Sequence, residues 1–389
     1  MLTYHQCGHN TTWNVESLRD DGAGHGLIIS PVNLDADKIT ARIPQDILEV
    51  SWIDPQFYLP DDSKGKLSTY PFFPANVIPD FTTTDFEIYA ADVARECLAF
   101  QSGLGLKYLV IPTRYYDHLP EDHLDQLTAL FVEPFLSARE ELGLELPILL
   151  TVVAKPPHLE PGPPRTSLLS WATGFEELSG VYLIFDSNFY SKQIKDPAYL
   201  VAQLRFITAL RRNDLEVHVG YAGLEGLLMS VADATSVSMG SYENLRSFGI
   251  QRLATREPTV QRGPRARVYS GLLLQSIEDT FLAPLRELTP DWMDLFDDSP
   301  YKEFLLDPES ALSFQRPEVY KHYFHVYARQ IAAVPALGNR ATHLRSLLIG
   351  ALQRFDRIRD SGVFLDGDSD QSHLPGWLNA LAMYTRQPE

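Results

Sequence analysis

Cysteine and long apolar runs are both scarce in this sequence. Only Cys7 and Cys97 occur among 389 residues, which leaves no disulfide framework and no multi-cysteine zinc site. The longest apolar runs, such as residues 147–154, are far shorter than the roughly 20 residues that a membrane-spanning helix needs. The opening MLTYHQCGHNTTW lacks the charged start and apolar core of a signal peptide. We therefore expect a soluble, cytoplasmic protein that does not bind membranes.

Basic residues are outnumbered by acidic ones, and the common nucleotide-binding motifs are absent. Lysine and arginine together number 33 against 51 aspartates and glutamates, a formal net charge of −18. This balance excludes a surface coated with positive charge for bulk nucleic-acid binding, so any anionic partner must meet a local basic patch. The chain contains no P-loop, no dinucleotide G-x-G-x-x-G and no G-x-S-x-G. No cofactor is predicted.

One short alternation of metal-ligating residue types opens the chain. On a strand, His5, Cys7 and His9 would face one side and could bind a transition metal. No carboxylate cluster completes the set nearby, and Gly8 and Asn10 favour a turn at this point. We therefore predict no metal site.

Short β-rich runs alternate with helical patterns along most of the chain. Eight such runs occur, at residues 26–30, 49–54, 107–112, 147–154, 180–186, 215–220, 235–240 and 266–274. Most are continuous blocks of Val, Ile, Leu and Tyr, which is typical of strands buried on both faces of a parallel sheet. Helical patterns supply the crossovers that parallel strands need, at residues 85–101, 121–142, 167–178, 197–212 and 224–232. The alternation predicts an α/β fold, a (β/α)8 TIM-like barrel, with an open doubly wound sheet as the alternative.

The C-terminal part lacks the alternation of β-rich and helical patterns and is predicted to be helical. Three helical patterns follow an acidic, loop-rich stretch, at residues 318–334, 340–361 and 374–385. In the middle one, Leu344, Leu348 and Phe355 belong to one apolar stripe that would pack on the barrel or on a neighbouring helix. We predict a barrel domain over residues 1–288 and a helical C-terminal subdomain over 289–389, which offers a surface for a protein partner.

In a barrel of this kind the active site lies at the carboxyl ends of the strands. Asp186 follows the predicted fifth strand, where burial and the nearby Lys155 would act on its pKa in opposite directions, so we predict it as acid, base or nucleophile. Asp54 is a second catalytic candidate, and Lys155 a third as a Schiff-base or anion-binding residue. Each also has an ordinary structural role, since an aspartate after a strand commonly caps a turn.

Five further residues at these strand ends are predicted to bind substrate. Arg114 could hold a carboxylate or phosphate through its planar guanidinium, or form an ion pair with Asp117 instead. The others offer amide, hydroxyl and aromatic groups that orient a polar substrate: Asn188, Tyr221, Ser241 and Tyr269.

The sharpest local feature is an arginine-rich segment, residues 246–267. It holds six arginines and one acid, Glu257, so its formal charge is 6 − 1 = +5, while the rest of the chain carries −18 − 5 = −23. The segment joins the predicted strands seven and eight, where barrels of this kind often bind phosphate. The predicted phosphate ligands are Arg246, Arg262, Arg265 and Arg267. Two other interpretations stay open: ion pairs with the chain's many acids, including those of residues 291–298, and a contact with a partner protein.

These features favour an enzyme that acts on a phosphate-bearing substrate, such as a nucleotide or a nucleic acid. Two carboxylates facing a sugar would suit hydrolysis of a glycosidic bond or base exchange, and a lyase or aldolase that uses Lys155 would need the same residues. The alternative is a non-catalytic barrel subunit that binds protein or nucleic acid in a larger assembly, because a fold alone does not decide function.

Overall fold

Eight parallel strands form the central sheet of the molecule. The computed structural model describes residues 1–62, 64–77, 86–186, 192–255, 263 and 265–386. In chain order the strands are β1 (Leu2–Gln6), β2 (Leu27–Ile29), β3 (Trp52–Ile53), β4 (Leu109–Ile111), β5 (Ile148–Ala154), β6 (Gly180–Phe185), β7 (Glu216–Gly220) and β8 (Ser236–Gly240). Their spatial order is β3-β2-β1-β8-β7-β6-β5-β4. Every neighbouring pair is parallel.

The two end strands of this sheet approach each other, which curves it into a near-barrel. Beside them, the Lys107 amide donates to the Ser51 carbonyl at 2.9 Å, and the Tyr115 amide donates to the Tyr58 carbonyl at 3.0 Å. Helices alternate with the strands and cover the outside of the sheet. The predicted TIM-like α/β barrel with C-terminal helices is therefore confirmed.

Two strand assignments made from the sequence are wrong. The barrel includes β1, for which no strand was predicted, and this strand lies between β2 and β8; the turn that Gly8 and Asn10 favoured follows it at residues 9–10. The predicted eighth strand instead forms β9 (Arg267–Ser270), which pairs antiparallel with β10 (Gln275–Glu278) in a separate hairpin. The described residues between β8 and β9 form only short 3-10 turns, so they supply no helical crossover to return β9 to the parallel sheet.

The helices of the barrel half mostly follow the predicted pattern. They are α1 (Thr11–Asp21), α2 (Ile39–Arg42), α3 (Gln45–Leu48), α4 (Pro74–Val77), α5 (Phe86–Gly103), α6 (His123–Leu127), α7 (Glu133–Glu141), α8 (Pro156–Leu159), α9 (Pro163–Ala172) and α10 (Pro197–Arg211). A π-helical turn, Thr128–Val132, joins α6 to α7, and the predicted helix after β7 is a 3-10 helix, Leu224–Ala232. Each helix turns apolar residues toward the sheet.

The C-terminal helices pack on the barrel wall next to the hairpin. They are α11 (Leu282–Leu288), α12 (Lys302–Leu306), α13 (Pro317–Ala332), α14 (Arg340–Asp360) and α15 (Leu374–Arg386). Helix α13 contacts α1, β1 and β9, whereas α15 packs on α10 and α14. The predicted stripe on α14 is buried as expected, since Leu344, Leu348 and Phe355 are all inaccessible to solvent or nearly so. No helix in the described part of the chain is long and apolar enough to span a membrane.

The interior of the barrel is filled with large side chains rather than left as a pore. Tyr4 and Trp52 lie with ring centroids 4.2 Å apart, and Tyr182 packs edge-on against Trp52. At the carboxyl ends of the strands, Phe248 and Leu253 from the segment after β8 complete this interior cluster. Within the described residues, this cluster therefore fills the interior of the barrel at the end where active sites of such folds lie.

Candidate functional site

Asp54 lies at the carboxyl end of β3 inside a network of hydroxyl and amide donors. The Tyr58 hydroxyl donates to both carboxylate oxygens at 3.0 Å, and the Tyr221 and Tyr182 hydroxyls donate at 3.2 and 3.4 Å. The Gln56 amide adds a fifth bond at 3.1 Å. Burial raises the pKa of Asp54 to about 7, although the hydrogen bonds act in the opposite direction. Its carboxyl group therefore holds a proton well above the usual range.

Asp186 and Lys155 lie close to each other at the ends of β6 and β5. The Tyr115 hydroxyl donates to Asp186 at 2.7 Å, and the Lys155 ammonium lies 4.1 Å from the centroid of the Tyr115 ring. Lys155 also donates to the carbonyl oxygens of Tyr116 and Asp117. Burial lowers the pKa of Lys155, and the neighbouring carboxylates of Asp186 and Asp117 counteract part of this effect.

Phe248 packs over the tyrosines that donate hydrogen bonds to the two aspartates. Its ring packs against Tyr58, Tyr115 and Tyr221 at centroid distances of 5.2, 6.1 and 5.5 Å. Asp54 and Asp186 are 1% and 2% exposed. A polar cleft of about 640 Å³ lies outside Phe248 and reaches Lys155, but neither aspartate lines it. Within the described residues, the three catalytic candidates share no open pocket, and their catalytic roles stay predictions.

The predicted substrate-binding residues are spread over several places. Arg114 lines a small cavity of about 30 Å³ between β4, β5 and α6, where its guanidinium lies 5.5 Å from the centroid of the Tyr116 ring. Tyr221 belongs to the buried network around Asp54. Asn188 lies outside the described residues. Ser241 and Tyr269 line a different, larger cavity on the side of the barrel.

This lateral cavity has a volume of about 470 Å³ and opens between the end of β8, the β9-β10 hairpin and helix α13. Three of the predicted phosphate ligands line it, together with a serine hydroxyl and several aromatic rings. The residues that line it include Ser241, Tyr242, Glu243, Arg246, Arg265, Arg267, Tyr269, Phe314, Tyr320 and Tyr323. A volume of this size suits a small organic ligand.

Arg246 is held rigidly in the wall of the lateral cavity. Its Nε donates to the Gly240 carbonyl at 2.9 Å, and its Nη2 donates to the Ser241 carbonyl at 3.1 Å. The guanidinium carbon lies 3.7 Å from the centroid of the Tyr323 ring. Among the described residues, Nη1 has no protein acceptor and no carboxylate pairs with this arginine. Arg246 therefore brings an uncompensated positive charge to the cavity.

Ser241 adds a hydroxyl without a partner beside this arginine. The side chain is fully buried, and its Oγ finds no hydrogen-bond partner among the described residues. Gly240, which precedes it, permits close packing rather than an approach to a ligand: a Cβ there would lie 2.5 Å from Leu245 Cβ. Buried hydroxyls without partners are uncommon in folded proteins, and Ser241 is one of the two serines among the lining residues of the cavity.

The other two arginines of the cavity are already paired with acids. Arg267 donates to Glu278 at 3.0 Å and contacts Glu243 at 3.4 Å and Asp368 at 3.5 Å. Arg265, which is largely exposed, also pairs with Glu278. The ion-pair interpretation of the arginine-rich segment thus describes these two residues. Arg262 lies outside the described residues.

The proposed contact between this segment and the acidic stretch 291–298 does not occur in the described residues. Asp297 accepts instead from the amides of Gly271 and Leu272, at 2.7 and 3.3 Å, and Asp298 pairs with Lys302. The acidic stretch therefore stabilises the hairpin turn and its own helix start rather than the arginines.

The aromatic wall of the lateral cavity was not anticipated from the sequence. Tyr320 and Tyr323 come from α13, and Phe314 precedes that helix. Trp13 stacks behind Tyr320 with centroids 5.3 Å apart and an interplanar angle of 14°. The predicted strand-end residue Tyr269 lies in the hairpin instead, because β9 is not a barrel strand, and its hydroxyl donates to Gln330. In the sequence, only the spacing of the tyrosines on α13 could have pointed to this aromatic wall.

The three metal-ligating residue types at the start of the chain, His5, Cys7 and His9, do not lie together. His5 is buried in β1, with Nε2 at 2.5 Å from the Ala23 carbonyl and Nδ1 bonded to Asn14. Cys7 is buried, whereas His9 is exposed and lines the lateral cavity. The described residues hold no cluster of three or more metal-ligating side chains.

Comparison with known proteins adds little to this description. No family model and no curated protein matches the chain. Among solved structures, a probable tagatose 6 phosphate kinase from Sinorhizobium meliloti 1021 is similar over 99% of this chain and 98% of its own, with 12% identity and a TM-score of 0.38. A similarity this weak supports no conclusion about function, which has to be argued from the residues of the site.

Proposed function

We propose that this barrel protein binds a nucleotide in the lateral cavity. The observation that carries the proposal is Arg246, whose guanidinium is fixed by two backbone carbonyls and the face of Tyr323 while its charge is left without a carboxylate. A rigid arginine whose charge is not compensated suits a phosphate group, because Nη1 has no acceptor among the described residues and can donate to a phosphate oxygen without further ordering.

Ser241 supports the same position for the phosphate. Its buried hydroxyl lacks a partner and belongs to the residue whose carbonyl holds Arg246. A phosphate oxygen that accepts from both Arg246 Nη1 and Ser241 Oγ would satisfy both groups at once. The donor set therefore favours an anion with several acceptor oxygens over a neutral ligand.

The aromatic wall favours a ligand that also carries a flat ring. Tyr242 and Tyr320 lie with centroids 4.9 Å apart, and Phe314 lies on the same cavity. Stacking of a base on such rings contributes about 1–3 kcal/mol. The cavity of about 470 Å³ has room for one nucleotide. A nucleotide carries both groups, a phosphate that suits Arg246 and a base that suits the aromatic rings.

Catalysis at the barrel mouth has less support than binding at its side. Glycosidic-bond hydrolysis or base exchange by Asp186 and Asp54 needs a substrate in contact with both carboxyl groups. Both are nearly inaccessible, and Phe248 packs over the tyrosines that donate to them. The proposed nucleotide binding does not depend on that chemistry, and it suits a non-catalytic barrel as well as an enzyme.

Isothermal titration with 5′-AMP, 5′-GMP and 5′-UMP, alongside adenosine and inorganic phosphate, tests the proposal. We expect the nucleotides to bind more tightly than either fragment, since each fragment lacks half of the contacts. Arg246→Gln should weaken nucleotide binding at least tenfold, about 1.4 kcal/mol, whereas Arg345→Gln on the exposed face of α14 serves as a control and should bind normally.

Ser241→Ala guards against a folding artefact in the Arg246 variant. Its hydroxyl has no partner among the described residues, so its removal leaves the fold intact while we expect nucleotide affinity to fall. Absence of nucleotide binding to the native chain at millimolar concentration, or native affinity in both variants, would overturn the proposal. Tight binding of a single-stranded RNA but of no mononucleotide would also overturn it.

A further inference from the structure

Among the residues that the structure describes, the charged side chains around the lateral cavity separate into a balanced network and one additional cation. The balanced set, which we name the rim network, consists of Lys192, Arg265, Arg267, Glu243, Glu278 and Asp368. It contains three cations and three carboxylates, so its formal charge is zero. Arg246 belongs to no ion pair among the described residues and leaves the cavity with one unmatched positive charge.

In the rim network, Arg267 is surrounded by three carboxylates, whereas Arg265 has one. Glu243 bridges Lys192 at 2.8 Å and Arg267 at 3.4 Å, and Asp368 bridges the same two cations at 3.0 and 3.5 Å. Glu278 links Arg267 to Arg265. Arg267 and Glu278 are each only 13% exposed, so water screens their pair weakly.

We infer that the cavity selects a nucleoside monophosphate over a di- or triphosphate; this inference rests on the proposed function. One phosphate group is matched by Arg246 and Ser241. Further phosphate groups would reach the rim of the cavity, where Glu243 belongs to the lining and Glu278 pairs with the lining residues Arg265 and Arg267. Like charges a few ångströms apart repel each other, and this repulsion is larger in a partly enclosed cavity than in open water.

A competition series with AMP, ADP and ATP in buffer without divalent cations tests the inference. We expect the native chain to bind AMP about tenfold more tightly than ATP. The double variant Glu243→Gln with Glu278→Gln leaves Arg265 without its carboxylate and Arg267 with Asp368 alone, so this ratio should fall to about one or reverse. Asp356→Asn on α14 removes a remote carboxylate that pairs with Arg359 and should leave the ratio at its native value.

The outcomes separate the two proposals. ATP that binds the native chain as tightly as AMP, or more tightly, overturns the monophosphate inference and leaves nucleotide binding intact. A failure of all three nucleotides to bind overturns the proposed function together with the inference. Should the double variant not fold, Glu243→Gln alone decides: a native AMP-to-ATP ratio in that variant contradicts the role of the rim network.

Discussion

Arg246 lies 3.7 Å above the ring of Tyr323, and this contact joins the end of the last barrel strand to the C-terminal helix α13. The lateral cavity is therefore lined both by residues of the barrel and by residues of the C-terminal part. The residues after β8 contribute a cation, a hydroxyl and the ring of Tyr242, and the C-terminal part contributes the rings of Phe314, Tyr320 and Tyr323. A ligand in this cavity would therefore contact both halves of the chain.

The first prediction concerns the ring below Arg246. Tyr323→Leu should lower AMP affinity about fivefold, because it removes the cation–π contact that holds the guanidinium, and should destabilise the fold by about 2 kcal/mol. Tyr323→Phe is the matched control: the buried hydroxyl has no partner among the described residues, so neither affinity nor stability should fall. Titration and urea denaturation measure both. Equal AMP affinities in the two variants would contradict this role of the ring.

The second prediction compares two neighbouring arginines of the rim network. Arg267→Ala should reduce the free energy of unfolding by about 2 kcal/mol, because it leaves three carboxylates without their shared partner in a half-enclosed site. Arg265 is 67% exposed, so Arg265→Ala should change stability by no more than about 0.5 kcal/mol. Urea denaturation of the two variants measures the difference. Equal losses would show that the network contributes nothing beyond surface pairing.

The third prediction concerns Asp54 and pH. Its pKa rises from 3.8 to about 7 on folding, so the folded chain binds this proton more tightly than the unfolded chain does. The contribution to stability is complete below about pH 4 and is lost as pH rises toward 7. Relative to the native chain, Asp54→Asn should therefore gain stability between pH 4 and pH 8, on the order of 4 kcal/mol.

Denaturation of both proteins across this pH range provides the measurement. The exposed Asp46→Asn serves as a control, for which we expect a nearly constant difference from the native chain. A constant difference for Asp54→Asn as well would mean that its carboxyl group is not buried as described.

The fourth prediction tests the closure of the barrel mouth. Phe248→Ala should cost about 3 kcal/mol of stability, because the ring fills the space between three tyrosines and leaves a cavity when removed. Phe364 is 72% exposed, and Phe364→Ala should change stability by no more than about 0.5 kcal/mol. Thermal and urea denaturation compare the two. A small effect at Phe248 would indicate that the mouth is open in solution.

The barrel could be predicted from the sequence because seven of its strands lie within β-rich runs, most of them continuous and apolar, that alternate with helical patterns. β1 was missed because Thr3, His5 and Gln6 are polar, although all three are buried in the centre of the sheet. β9 has the composition of a strand, but composition does not tell a parallel strand from one arm of a hairpin. Only the lack of a long helix between β8 and β9 in the described residues carried that information.

The candidate site was predictable only in part. The charge contrast of residues 246–267 led to Arg246, and the position after a strand led to Ser241. The pairing of Arg267 with Asp368, 101 residues away, is a long-range contact that no local pattern contains. The aromatic wall likewise depends on how α13 packs on the barrel, and residue spacing on one helix does not specify that.

A crystal structure of the chain with bound 5′-AMP tests the nucleotide site most directly. We predict a phosphate within hydrogen-bond distance of Arg246 Nη1 and Ser241 Oγ, with the base against the tyrosines of α13. AMP bound in the cleft beside Lys155, or a lateral cavity that stays free of AMP at saturating concentration, would contradict the assignment.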